Sequence, residues 1–212
     1  MENMFKKIAE NQMSGNFSNG FGKSESLSGP GSELKQTDQI IKELPCIFKK
    51  YNIKCFFDVP CGDFFWMKNV VNNCNTKYIG GDIVDKIVTI NKKNNKDIEF
   101  IKFNICNDKI PDDVDLIFIR DLFVHFSYEN IKKSIENIKK SNVKYIMMTT
   151  FINRVNTELP TKWPWRPLCF FNQPFNFPKP KELINELCSE DFPNNLDKSL
   201  GLWYVKDINL LF

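Results

Sequence analysis

Five short apolar runs recur through the middle of the chain. They occupy residues 55–60, 77–83, 99–104, 114–120 and 143–150. Runs of this length bounded by turn residues read as strands covered on both faces. Helical spacing lies between several of them. Leu34, Ile40, Ile41, Leu44 and Phe48 fall on one face of a helix expected over 32–50, with Ser32 as its cap and Pro45 as a point where it ends or kinks. A second helix is expected over 64–73. Tyr128, Ile131, Ile135 and Ile138 mark a third over 128–140. Strands alternating with helices dictate parallel βαβ units and a doubly wound α/β sheet. A helix over 181–189 and a strand over 202–208 are expected to close the chain.

Composition sets limits on function. With 212 residues, 42% hydrophobic and 26% charged, one domain with added elements is expected. Residues 1–27 read as a polar arm or short helix, and 28–212 as one domain. Twenty-nine basic against 26 acidic side chains leave +3, a near-neutral balance that disfavours nucleic acid, which needs a cationic track. No run approaches the ~18 apolar residues of a membrane span. The charged start of the chain has no apolar signal core, and seven cysteines without a CxxC pair fit reduced thiols, so a cytoplasmic protein is expected. A single histidine, His125, excludes multi-histidine metal sites, and no metal is expected. The oligomeric expectation is a monomer or homodimer.

In open parallel sheets, ligands bind outside the carboxyl ends of the strands, near the reversal of strand order. Gly62, in the turn after the first strand, permits close backbone approach to a ligand. Asp82 ends the second strand, where an acidic side chain can accept both hydroxyls of a ribose. Asn104 ends the third, where its amide can pair with an adenine edge. Asp and Gly also end strands simply because they favour turns; it is their recurrence over successive strand ends that points to an adenosine-containing cofactor. Ser28-Gly29-Pro30-Gly31-Ser32 reads either as a linker or as a segment that approaches the ligand.

Residues 58–64, Asp-Val-Pro-Cys-Gly-Asp-Phe, resemble the first motif of class I S-adenosylmethionine-dependent methyltransferases. Gly80-Gly81-Asp82-Ile83 is similar to their acidic second motif, and residues 115–126 to their fourth-strand segment. The resemblance spans about residues 28–151. The version here, with Ser-Gly-Pro-Gly-Ser before it and Trp-Arg and Pro-Phe-Asn-Phe-Pro after it, is similar to a bacterial subgroup associated with capsule and surface-glycan biosynthesis. It implies a Rossmann-like, mostly parallel seven-stranded sheet. It also implies S-adenosylmethionine as cofactor and S-adenosylhomocysteine as product. The cofactor contacts it implies fall on Ser28, Gly29, Gly31, Ser32, Asp58, Pro60, Cys61, Gly62, Asp63, Trp66, Asp82, Ile83, Asn104, Ile105 and Arg120. The sequence departs from the pattern at Pro60 and Phe64, where the motif has glycine, and at Asn104, where the family commonly has Asp.

Methyl transfer needs an acceptor aligned with the methyl group and water excluded. If the acceptor is a sugar hydroxyl, a base assists. His125 is the first candidate, because its unperturbed pKa suits that work, and Asp121 is the second. Residues 152–180 form a long aperiodic insertion rich in Trp, Phe and Pro. Trp163, Trp165, Phe170, Phe171, Phe175 and Phe177 are candidate walls of an acceptor pocket, and Arg166 a candidate clamp for an acceptor phosphate or carboxylate. The expected partner is a small-molecule or glycan acceptor, with a phosphate- or phosphoramidate-bearing precursor as the second acceptor class. A nicotinamide oxidoreductase would require Gly-x-Gly-x-x-Gly where this chain has Gly62 alone. A non-catalytic cofactor-binding partner is the remaining alternative.

Overall fold

The structure is a computed structural model that describes residues 24–161, 164–191 and 193–210. Seven strands form one sheet: β1 (Cys55–Asp58), β2 (Lys77–Asp82), β3 (Glu99–Lys102), β4 (Leu116–Ile119), β5 (Tyr145–Phe151), β6 (Glu182–Asn185) and β7 (Lys198–Tyr204). Their order is β3-β2-β1-β4-β5-β7-β6. Strands β1 to β5 pair in parallel, and β7 runs antiparallel to both β5 and β6. This is the Rossmann-like doubly wound fold expected from the sequence. Strand order reverses between β1 and β4, which opens the sheet's ligand crevice beside their carboxyl ends.

Alternation along the central strands feeds two cores. On one face Phe57, Ile117 and Ile146 pack against Ile131, Ile135 and Ile138 of α4 (Tyr128–Lys139). On the other, Phe56, Phe118 and Met147 pack against Ile40, Leu44 and Phe48 of α1 (Leu34–Lys50). Two shorter helices, α2 (Met67–Asn72) and α3 (Asp85–Asn94), complete the described helices.

Helix α1 continues through Pro45. A mid-helix proline costs ~3 kcal/mol, but Ile40, Leu44, Ile47 and Phe48 are all buried around it, each worth ~1.5–3 kcal/mol. Burial therefore outweighs the break. Ser32 does not cap this helix. It closes a 3-10 turn over Pro30–Ser32, and Glu33 takes the cap position without a side-chain bond. Helix α3 was not anticipated, because its buried face consists of Ile87, Val88 and a polar Asn91.

The expected helix over 181–189 is instead strand β6 and its continuation. Burial there alternates with period two. Ile184, Glu186 and Cys188 point inward, while Leu183 and Leu187 are exposed. One inward residue is an acid, so the alternation does not show as hydrophobicity. The last strand starts at Lys198 rather than 202, because Lys198 is itself buried at 4% exposure.

The insertion packs onto the α4 face. Phe170, Phe175 and Phe177 belong to the core and form ring contacts with one another. Cys169 and Asn156 exchange hydrogen bonds across it. Among the described residues, no helix is long and apolar enough to cross a membrane, and all seven cysteines are free thiols.

Candidate functional site

The turn after β1 is held from two sides. The Cys61 amide donates to the Gly81 carbonyl, and the Gly62 amide donates to Asp82 Oδ2 at 3.1 Å. From α3, Asn91 Nδ2 donates to the Gly62 carbonyl at 2.8 Å. Gly62 has φ +53°, in the left-handed region that favours glycine. A Cβ there would stand 2.1 Å from Ser28 Oγ.

Ser28 belongs to an arch, residues 24–32, that lies against this turn. Asp63 fastens it. Its carboxylate accepts from Ser26 Oγ at 2.9 Å, the Leu27 amide at 2.7 Å and Ser28 Oγ at 3.2 Å. Asp63 thus serves the arch, and Gly31 is tied at the other end by its carbonyl accepting from Arg120 Nη2 at 2.8 Å. The arch brings Ser28, Gly29, Gly31 and Ser32 to the strand ends.

Asp58 lies beneath this turn at 3% exposure, its Oδ2 accepting from the Tyr78 hydroxyl at 3.0 Å. Burial pushes its carboxyl up to about 8. Trp66 is also buried, packed on Phe118 and under the Arg120 guanidinium.

Asp82 is the hinge of the site. Oδ2 accepts from Gly62, Oδ1 accepts from the Val84 amide at 2.9 Å, and burial lifts its carboxyl to about 6. The Ile83 amide also favours its charged form; a carboxylate has about four acceptor positions, so one remains for a ligand. Next to it a cleft is lined by Val59, Pro60, Ile83, Asn104, Ile105 and Leu122, with Phe103 and Phe126. Asn104 Oδ1 accepts from the Cys106 amide at 3.1 Å, which fixes the orientation of its side-chain amide at the rim. The sequence-predicted Pro60, Ile83, Asn104 and Ile105 therefore meet around one apolar slot beside Asp82.

A charged group fills the ends of β4, β6 and β7. Arg120, 6% exposed, donates through Nε and Nη2 to Glu186 Oε2, at 3.2 and 2.8 Å. Lys198 Nζ lies 2.6 Å from Asp121 Oδ2 and 3.5 Å from Glu186 Oε2. Thr149 Oγ1 accepts from the Asp121 amide. Burial works to raise the Asp121 carboxyl, but Lys198 and Arg120 outweigh it and hold it below the usual range. Asp121 is consequently a poor proton acceptor, which argues against it as the base. Arg120 faces Glu186 and the arch, where its guanidinium has a structural task.

His125 sits in a 3-10 turn after β4, with Nδ1 2.6 Å from the Pro164 carbonyl oxygen. A carbonyl only accepts, so Nδ1 carries the hydrogen and Nε2 is the basic nitrogen. Burial lowers the imidazole's pKa, which keeps it neutral at pH 7.

The aromatic pocket expected in the insertion is not formed as such. Phe175 is 1% exposed and packs against Phe170 and Tyr128, so it is a core residue, as are Phe170 and Phe177. An aperiodic segment gave no means to tell core rings from pocket rings. Trp165 is 38% exposed, edge-on to Phe151. Trp163 lies outside the described residues, as do residues 1–23. Arg166 is buried, with Nε donating to Thr157 O at 2.7 Å and Nη1 to Val124 O at 3.2 Å. Nη1 thus ties the insertion to the turn that carries His125, while Nε holds the insertion to itself at Thr157. Nη2 has no hydrogen-bond partner among the described residues.

Sequence reasoning did not find Asn91, Thr149, Glu186 or Lys198. Asn91 lies in the unanticipated helix α3, Glu186 directly follows β6 and Lys198 opens β7, where buried charges break the hydrophobic pattern. Among the described residues no group of His, Cys, Asp and Glu side chains could hold a metal ion.

Comparison with known proteins finds no matching family profile and no matching curated sequence. Solved structures do match. One assigned as an O-methyltransferase from Nostoc punctiforme PCC 73102 aligns over 96% of this chain and 71% of its own, at 12% identity and a TM-score of 0.57. The methyltransferase domain of bacterial CtHen1 aligns over 55% of this chain and 67% of its own, at 13% identity and 0.49. An O-methyltransferase from a Brevibacillus brevis polyketide multienzyme, solved with S-adenosylhomocysteine, aligns over 63% of this chain at 14% identity and 0.49, and this chain spans 47% of its length. At 12% identity the likeness to the Nostoc structure is one of fold, a Rossmann-like fold shared with a methyltransferase.

Proposed function

We propose that the chain is an S-adenosylmethionine-dependent methyltransferase that methylates a hydroxyl of a small-molecule or sugar acceptor. The observation that carries this reading is the pairing of Asp82 with the apolar slot beside it at the strand-order reversal. A carboxylate with an open acceptor position suits a ribose hydroxyl. The apolar walls, with the Asn104 amide at the rim, suit an adenine ring. The same positions suit any adenosine, but Gly62 alone does not supply the three glycines of a dinucleotide fold.

When bound, the cofactor supplies an electrophilic methyl group. Asp82, Ile83, Asn104 and Ile105 would hold its nucleoside, and the arch with Gly62 would cover its amino-acid end. The chain's own part in the chemistry falls to His125. Neutral, with the lone pair on Nε2, it is suited to take the acceptor's proton. Trp165, exposed one residue after the Pro164 carbonyl that meets His125, offers a flat face to a sugar ring.

The test is incubation with S-adenosylmethionine and a panel of free and phosphorylated sugars, following release of S-adenosylhomocysteine. Acceptor-dependent release supports the reading. Binding of S-adenosylhomocysteine without turnover on any acceptor would favour a non-catalytic partner protein.

A further inference from the structure

Five charged side chains converge where β4, β6 and β7 end or begin: Arg120, Asp121, Glu186, Glu190 and Lys198. Both cations are committed. Arg120 is shared between Glu186 and the Gly31 carbonyl, and Lys198 between Asp121 and Glu186. The carboxylates are not all matched. Glu186 is 2% exposed, yet its Oε1 has no hydrogen-bond partner among the described residues. Leaving such an atom unpaired is costly. No donor among the described residues is directed at the Glu190 carboxylate either, and burial raises its pKa. Glu190 Oε2 stands 2.9 Å from the place a Cβ on Gly31 would take, and Asp121 Oδ2 3.8 Å from the same place. Three carboxylates thus face two cations around the arch, with one negative charge in excess.

An ammonium group meets that deficit. It is compact, carries one positive charge and offers three donors. An anion would be repelled, and a hydroxyl would supply a single donor. The arch residue that Glu190 faces, Gly31, belongs to the segment placed over the cofactor's amino-acid end, so acceptor and cofactor are the two sources of an ammonium here, and the experiment below separates them. Glu186, Glu190 and Lys198 come from the β6–β7 side of the sheet, across the strand-order reversal from Asp82 and the nucleoside slot. We propose that Glu190 and Glu186 form an ammonium subsite for the methyl acceptor, which makes the acceptor an amine-bearing small molecule such as an amino sugar. This rests on the methyl-transfer reading and narrows it.

The experiment uses protein saturated with S-adenosylhomocysteine, titrated with glucosamine and, separately, glucose, at a pH where the amine is protonated. Wild-type protein is expected to bind glucosamine at least ~10-fold more tightly than glucose. Glu190→Gln is expected to abolish that preference while S-adenosylhomocysteine affinity stays within about 2-fold of wild type. Glu190 is partly exposed, so the variant is expected to fold, and its melting curve checks this. Equal or absent binding of the two sugars by wild type overturns the inference, as does a preference that survives in Glu190→Gln. A fall in S-adenosylhomocysteine affinity in that variant overturns it too, because the ammonium would then be the cofactor's own. Failure of wild type to bind S-adenosylhomocysteine at all sinks the methyl-transfer reading itself, a separately visible result.

Discussion

Replacing Gly62 by alanine is expected to destabilise the protein by two separable effects. The first is backbone. At φ +53° an L-residue costs ~1–2 kcal/mol. The second is collision. The new Cβ would lie 2.1 Å from Ser28 Oγ and 3.1 Å from Ser28 Cβ. Ser28 Oγ accepts from the Asp63 amide and donates to its carboxylate, so it cannot swing away without losing both bonds. Overpacking of this kind costs ~1–3 kcal/mol. The sum is ~2–5 kcal/mol, and at ~2–4 °C per kcal/mol for a chain of this size the melting temperature should fall by ~4–20 °C. Urea denaturation of four proteins tests the partition: wild type, Gly62→Ala, Ser28→Gly and the double variant. Without the Ser28 hydroxymethyl group, Gly62→Ala should cost only the backbone part, giving a coupling of ~1–3 kcal/mol. A Gly62→Ala cost that is the same in both backgrounds would refute the packing of the arch on the turn.

Three further outcomes follow from the site. Asp58 has a folded pKa of about 8 against an unfolded value near 4, so its stabilising contribution is full below about pH 4 and is lost as pH rises through about 8. Asp58→Asn should flatten this profile and exceed wild type in stability at pH 8 by on the order of 2–5 kcal/mol in urea titrations; parallel profiles would contradict the burial argument. His125→Ala should lower turnover on an identified acceptor by ~100-fold, in line with loss of a general base, while S-adenosylhomocysteine affinity is unchanged. Wild-type turnover should fall at acid pH as the imidazole gains its proton, and equal activity of the variant would place the base elsewhere. Arg166→Ala should raise the acceptor KM and lower stability by ~1–3 kcal/mol, since its bonds to Thr157 and Val124 fix the insertion; a cofactor-binding defect instead would relocate Arg166.

The central sheet was legible because its strands are continuous apolar runs: Phe56-Phe57, Leu116 to Ile119 and Ile146 to Met148 are buried on both faces. The positions proposed for the nucleoside were legible as strand ends for a related reason. Asp58, Gly62, Asp82 and Asn104 stand at or just after the ends of β1, β2 and β3, where topology alone assigns them to the carboxyl edge. The other side was not. Glu186 and Lys198 lie 66 and 77 residues beyond the β4-end residues they meet, Arg120 and Asp121. Their strands have inward faces broken by charge, so neither hydrophobic period nor motif revealed them. Phe175 shows the reverse failure. Aromatic content marked the insertion as ordered, but only packing could tell a core ring from a pocket wall.

The most direct test of the account is calorimetric titration of wild type and Asp82→Ala with S-adenosylhomocysteine, with NAD(H) in parallel. The account predicts micromolar binding of S-adenosylhomocysteine by wild type, a loss of ~10- to 100-fold in Asp82→Ala from the missing charge-assisted ribose bond, and no binding of NAD(H). Binding of NAD(H) alone, or an Asp82→Ala affinity equal to wild type, would contradict it.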